Sequence, residues 1–182
     1  FISFDSSEVF KQAIKIFLLY SGLTLLIFII LNIFNIRSFD SLNLAFSLIS
    51  SGGFIPANDL SFIIKENSQI IILSFLMLFS FFSIFFIYNL LFFKKKNINF
   101  FYEDLHLIIY YIFIVTIFFL FFSYNTNFSL NLLALSSSIS NIGFTLEISQ
   151  TNMSFVFLIL VIIGGSFFST SSGLRFIKVY SL

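Results

Sequence analysis

The residues most able to do chemistry lie in two short glycine-bearing segments. One is Ser51, Gly52, Gly53 and Phe54; the other, ninety positions on, is Asn141, Ile142, Gly143 and Phe144. None of these side chains is an acid, a base or a strong nucleophile, so what the segments offer is backbone. A cation leaving water must exchange its hydration shell for other oxygens, and successive main-chain carbonyls can supply them. Carbonyls line up in one direction only where some residues take φ > 0, which glycine accepts and a Cβ resists. Each quartet could therefore give a cation one strand of oxygens, with no metal held by side chains. A short apolar run of helical character precedes each quartet, at residues 40–50 and 129–140. The negative C-terminal end of each helix dipole would then face the ion. The plainer reading is that Ser-Gly-Gly-Phe and Ile-Gly-Phe are interhelical turns. One Gly-Phe carries little weight against that reading, whereas two in the same context carry more.

A third segment stands out by composition. Residues 164–173 hold three glycines, four serines and one threonine in ten positions, among them Gly164, Gly165, Ser166, Ser169, Thr170 and Gly173. Glycine costs about 1 kcal/mol relative to alanine inside a helix, and serine and threonine hydroxyls can bond back to the backbone. The composition predicts helix over 155–163 and 174–182, with irregular backbone between. Such a break could open polar backbone onto an ion path as a gate, or it could let helices pack closely through small residues. Both readings stay open on this segment alone. Arg175 and Lys178 follow it.

Other polar residues have bland readings. Asp59 and Glu147 follow the two quartets, where they would raise local cation concentration or simply be solvated. His106, near Glu103 and Asp104, reads as an interfacial helix start. Ser136, Ser137 and Ser138 have no histidine or aspartate nearby to activate them. The chain has no cysteine, which removes disulfides, thiolate catalysis and cysteine metal sites.

The elements that must position these segments follow from composition. The chain is 59% hydrophobic and 9% charged, with 32 phenylalanines and a mean hydropathy of +1.08. A soluble domain of 182 residues cannot hide that much apolar surface, but lipid can solvate it. Apolar runs of spanning length occupy residues 12–36, 69–93 and 105–122. A fourth, 155–179, is interrupted by the glycine- and serine-rich segment. The runs before the quartets are too short to span, so each should enter the membrane and turn back. The expected fold class is an all-α membrane protein of two span–re-entrant pore loop–span repeats with a broken last helix. The division falls at residues 1–96 and 97–182. Alternating spans place Lys11, Lys15, Lys94, Lys95, Lys96, Arg175 and Lys178 on one side, seven of the nine basic residues. Cytoplasmic flanks are rich in Lys and Arg, so the loops should enter from outside. Arg37 and Lys65 then lie in outer loops beside Asp40 and Glu66. The chain begins with Phe and no signal segment precedes it, which reads as an internal piece of a longer protein.

With repeat, loops and broken helix in place, the sequence resembles the TrkH/KtrB family of potassium uptake proteins, built from four such repeats around one pore. The family's Ala-Phe-Ser-x-Ile-Ser-Thr-Gly-Gly-Phe is matched by Ala45-Phe-Ser-Leu-Ile-Ser-Ser-Gly-Gly-Phe54, in the second repeat. Its Thr-x-Gly-Phe-Thr of the third repeat is matched by Asn141-Ile-Gly-Phe-Thr145. Its Gly-Gly-Ser-x-Gly-Ser-Thr-x-Gly-Gly-x-Lys-x-x-Arg is met by Gly164-Gly-Ser-Phe-Phe-Ser-Thr-Ser-Ser-Gly-Leu-Arg-Phe-Ile-Lys178. Phe168 and Ser172 replace glycines, Asn141 replaces a threonine, and Arg175 and Lys178 exchange basic types. The resemblance implies the conducting subunit of a Trk/Ktr-type potassium transporter in the cytoplasmic (inner) membrane, multi-pass and not an enzyme. Residues 51–54 and 141–144 would be filter strands. Residues 164–173 would be an intramembrane gate, with Arg175 and Lys178 at its cytoplasmic exit. It further implies K+ as transported ion with no bound cofactor, and a homodimer in lipid. A nucleotide-binding regulatory subunit of TrkA/KtrA type is implied too, and no nucleic acid. The competing classes are a polytopic membrane enzyme and a degenerate scaffold that no longer conducts.

Overall fold

The structure is a computed structural model that describes residues 6–82, 98–122, 127–146, 154–166, 169–176 and 178. The long first helix, α1 (Ser6–Ile33), carries no charged residue from Ile16 to its end and has no polar face there. Leu23, Ile27 and Leu31 recur every four residues and are buried, while Phe17, Leu18, Leu25, Ile29 and Ile33 are exposed. A helix that is hydrophobic all round belongs against lipid or other protein rather than water. Its Ala13–Ile33 portion, 21 residues of mean hydropathy 2.5, is the one helix among the described residues long and apolar enough to cross a membrane by length and composition.

Asn35 turns the chain in the left-handed region (φ 59°) into α2 (Ser38–Ser50). The buried stripe Ser41, Leu44, Ala45 and Leu48 lays α2 on α1, with the Ser41 hydroxyl donating to the Ile36 carbonyl at 3.1 Å. A 3-10 turn at Leu60–Phe62 leads to α3 (Asn67–Phe81). Gln69 fixes the start of α3. Its side-chain oxygen accepts from the backbone N–H groups of Lys65 and Glu66, and its amide donates to the Phe34 carbonyl at 2.9 Å. A buried amide in an apolar run is thereby satisfied on both atoms.

α3 is the central helix: Ile70, Leu73, Leu76, Met77 and Phe81 are buried, and it packs most extensively on α5 (Phe128–Ser140). Between them in sequence comes α4 (Ile98–Phe122); last comes α6 (Ser154–Ile162), which packs on α5. The buried hydroxyl of Tyr111 on α4 meets that of Ser136 on α5 at 3.0 Å. The stacked rings of Phe119 and Phe128, 4.6 Å apart, hold the same pair together. Leu133, Ile142 and Phe144 share a core with α1, α2 and α3, so the two halves are built around common apolar residues.

Two boundaries differ from the sequence reading. Within the run at 69–93, α3 ends at Phe81 and Phe82 is extended (φ −81°, ψ 158°); residues 83–97 lie outside the described set, Lys94, Lys95 and Lys96 among them. The third run's helix begins at Ile98, so His106 sits inside α4 instead of starting it.

Candidate functional site

Two 13-residue helices, α2 and α5, end in the same way, ninety positions apart. Ser51 and Asn141 each take the left-handed conformation, at φ 52° and 58°. The Gly52 N–H reaches back to the Ser47 carbonyl at 2.9 Å, and the Ile142 N–H to that of Ser137 at 3.2 Å. The Ser51 N–H bonds Leu48, and the Asn141 N–H bonds Ser138, each at 3.3 Å. This pair of bonds is a Schellman cap, which satisfies carbonyls a helix end would otherwise leave free. Two residues past each left-handed residue a glycine again takes positive φ, Gly53 at 68° and Gly143 at 83°. The quartets of the sequence reading thus share one backbone path: left-handed residue, linker, positive-φ glycine, phenylalanine.

The quartets also touch. A Cβ on Gly53 would overlap the Ile142 carbonyl oxygen, so only a hydrogen fits where the loops meet. Gly143 faces open space, and its constraint is its φ alone. The two phenylalanines part company: Phe144 is fully buried in the core, whereas Phe54 is 78% exposed. Phe54 lines a hollow of about 240 Å³ with Asn43, Phe46, Ser47, Ser50 and Pro56 on the open side of α2.

The third segment lies against both. Beyond α6 the described backbone from Ile163 to Arg175 is not helical. It is closed at its base by Gly164 N–H to the Leu174 carbonyl (2.8 Å) and Leu174 N–H to that of Ile162 (2.9 Å). Gly173, at φ 92°, makes the return, and a Cβ on Gly164 would strike the Ser172 carbonyl. The segment then caps α3. Ser166 N–H donates to the Phe81 carbonyl at 3.1 Å, and the Thr170 and Ser171 N–H groups donate to the Ser80 carbonyl at 3.2 and 3.1 Å. A Cβ on Gly165 would overlap the Phe81 carbonyl, so that glycine sets how close the segment comes to α3. Inside, the Ser171 hydroxyl accepts from Gly165 N–H (2.8 Å) and pairs with that of Ser169 (3.1 Å). Ser169 also donates to the Ser166 carbonyl at 2.8 Å.

The left-handed residue of each loop reaches this segment. The Ser51 and Thr170 hydroxyls stand 3.4 Å apart, and the Asn141 amide donates to the Ser172 carbonyl at 2.9 Å. All three sequence-read segments are therefore in contact. Arg175 turns into the folded segment, with its Nη1 on Ser166, Ser169 and Ser171. Lys178 is exposed and Asp59 lies on the surface. Phe168 and Glu147 lie outside the described residues, as does most of the helix expected over 174–182; Phe176 and Lys178 are helical. Sequence reasoning missed Ser80 and Phe81, because their contribution is main-chain oxygen and leaves no mark in residue type.

No protein-family model and no curated protein matches the chain. Its arrangement is that of an all-α membrane protein of known structure. The crystal structure of the potassium transporter TrkH from Vibrio parahaemolyticus matches it with a TM-score of 0.81 over 93% of this chain, at 19% identity. The chain spans 39% of the length of that protein, so it carries a fragment of a TrkH-like fold.

Proposed function

We propose that this chain is part of the ion-conducting subunit of a Trk/Ktr-type transporter that takes up potassium across the cytoplasmic membrane. The observation that carries the reading is the pair of matching loops, each with a capped helix end and a positive-φ glycine, brought into contact at Gly53 and Ile142. A cation filter needs several such strands to converge, because one strand cannot replace a hydration shell. The TrkH-like fold supports the same reading, since the matched protein is a potassium transporter. On this reading Ser51, Gly52, Gly53 and Phe54 form one filter strand, and Asn141, Ile142, Gly143 and Phe144 form another. Residues 1–96 and 97–182 are two pore repeats, with α2 and α5 entering the membrane and turning back. Residues 164–173 are the gate: they are folded against both strands through Ser51 and Asn141, and against α3. A second copy of the intact protein and a nucleotide-binding regulatory subunit are the proposed partners.

The test is growth of a potassium-uptake-deficient strain on limiting potassium, carrying the intact protein that contains these residues. Wild type should restore growth and rubidium uptake, and Gly53→Ala should abolish both. Full complementation by Gly53→Ala and Gly143→Ala alike, with cation preference unchanged, would show that these loops are not filters.

A further inference from the structure

Arg175 makes an unusual set of contacts. Its Nη1 lies 3.2 Å from the Ser166 carbonyl, 3.2 Å from that of Ser169, 3.0 Å from that of Ser171 and 3.0 Å from the Ser169 hydroxyl. That nitrogen carries two hydrogens, so four oxygens surround a group that can donate to two of them at once. Arginine ordinarily spreads its donors as a fork over a planar acceptor. Convergence on one nitrogen is what oxygens do around a compact cation. The setting is half-buried, and all four oxygens are neutral dipoles with negative ends inward. Folding the segment thus creates a pocket of negative potential that demands a positive charge.

We infer that the carbonyls of Ser166, Ser169 and Ser171, with the Ser169 hydroxyl, form a cation cage whose resident cation is the Arg175 guanidinium. A desolvated monovalent cation takes the same cage when the guanidinium is withdrawn. The class is monovalent because the cage has no carboxylate. Small divalent ions are held largely by charged oxygens, whereas potassium is held by neutral carbonyls. Ser166 carries a buried hydroxyl without a partner, a further oxygen on the same segment. The arrangement makes Arg175 a tethered counter-charge that keeps the segment folded on α3, and one that an arriving ion can replace.

The cage is tested without transport, so its failure is separable from failure of the uptake reading. The readout is amide hydrogen exchange over residues 164–175 of the intact protein, where the Ser166, Thr170 and Ser171 N–H groups bond α3. Exchange is measured in choline chloride and in potassium or rubidium chloride at equal ionic strength. Arg175→Met should exchange about tenfold faster than wild type in choline, the effect of losing hydrogen bonds to a charged group. Potassium or rubidium should restore its protection in a saturable way, well beyond any effect on wild type. Arg175→Lys should stay protected in choline, since an ammonium is a point cation with three donors. An Arg175→Met protein whose exchange ignores these ions, or responds to them no more than wild type, overturns the cage. If Arg175→Met does not fold, Arg175→Lys decides: protection in choline supports the cage, and rapid exchange there overturns it.

Discussion

At the scale of single residues, the two positive-φ loop glycines are alike in backbone and unlike in surroundings. Gly53 must keep a positive φ and has the Ile142 carbonyl where a Cβ would go; Gly143 must keep a positive φ in open space. Gly143→Ala should therefore cost only backbone strain, about 1–2 kcal/mol. Gly53→Ala should cost clearly more, because a backbone carbonyl cannot swing aside as a flexible side chain can. Thermal unfolding of the two variants in the intact protein checks the order, and equal losses would contradict the contact between loops. Ser171→Ala tests the folded segment at the same scale. It strips the buried Gly165 N–H of its acceptor, and a buried donor left unsatisfied costs about 1–3 kcal/mol. The expected result is faster exchange over 164–175 with little change in α1.

At the scale of elements, the capped helices were legible and their contacts were not. Apolar runs that stop at serines and glycine define helix ends by local chemistry, so expectations of 40–50 and 129–140 lie within two residues of Ser38–Ser50 and Phe128–Ser140. The break after α6 was legible for the same reason: glycine and serine weaken helix wherever they cluster. The end of α3 at Phe81 was not. The sequence there stays apolar for a dozen residues, and only a tertiary event explains the stop, since donors from residues 166, 170 and 171 take the Ser80 and Phe81 carbonyls. The inward turn of Arg175 was hidden likewise, because its acceptors are carbonyls and every residue has one. Gly165→Ala addresses this junction directly. A Cβ there should push the segment off α3 and, if the segment is a barrier, raise rubidium flux severalfold. Unchanged flux in a folded variant would remove the barrier role and leave the loops as they stand.

At the scale of the whole molecule, the surface and the charges set the arrangement in a membrane. Exposed phenylalanines, leucines and isoleucines along α1 and α4 are stable only against lipid or further apolar protein. Whole-cell labelling of single cysteines at Lys95 and Asn58 gives the orientation. An impermeant reagent should mark position 58 and spare 95, and the reverse pattern would refute loops that enter from outside. On the proposed function, the loops after α2 and α5 line one cation path. Anomalous scattering from rubidium soaked into crystals of the intact protein tests it most directly. Rubidium is expected in contact with main-chain oxygens of both 51–54 and 141–144, with loss of that density in Gly143→Ala. Rubidium bound elsewhere, with neither loop contributing an oxygen, would contradict it.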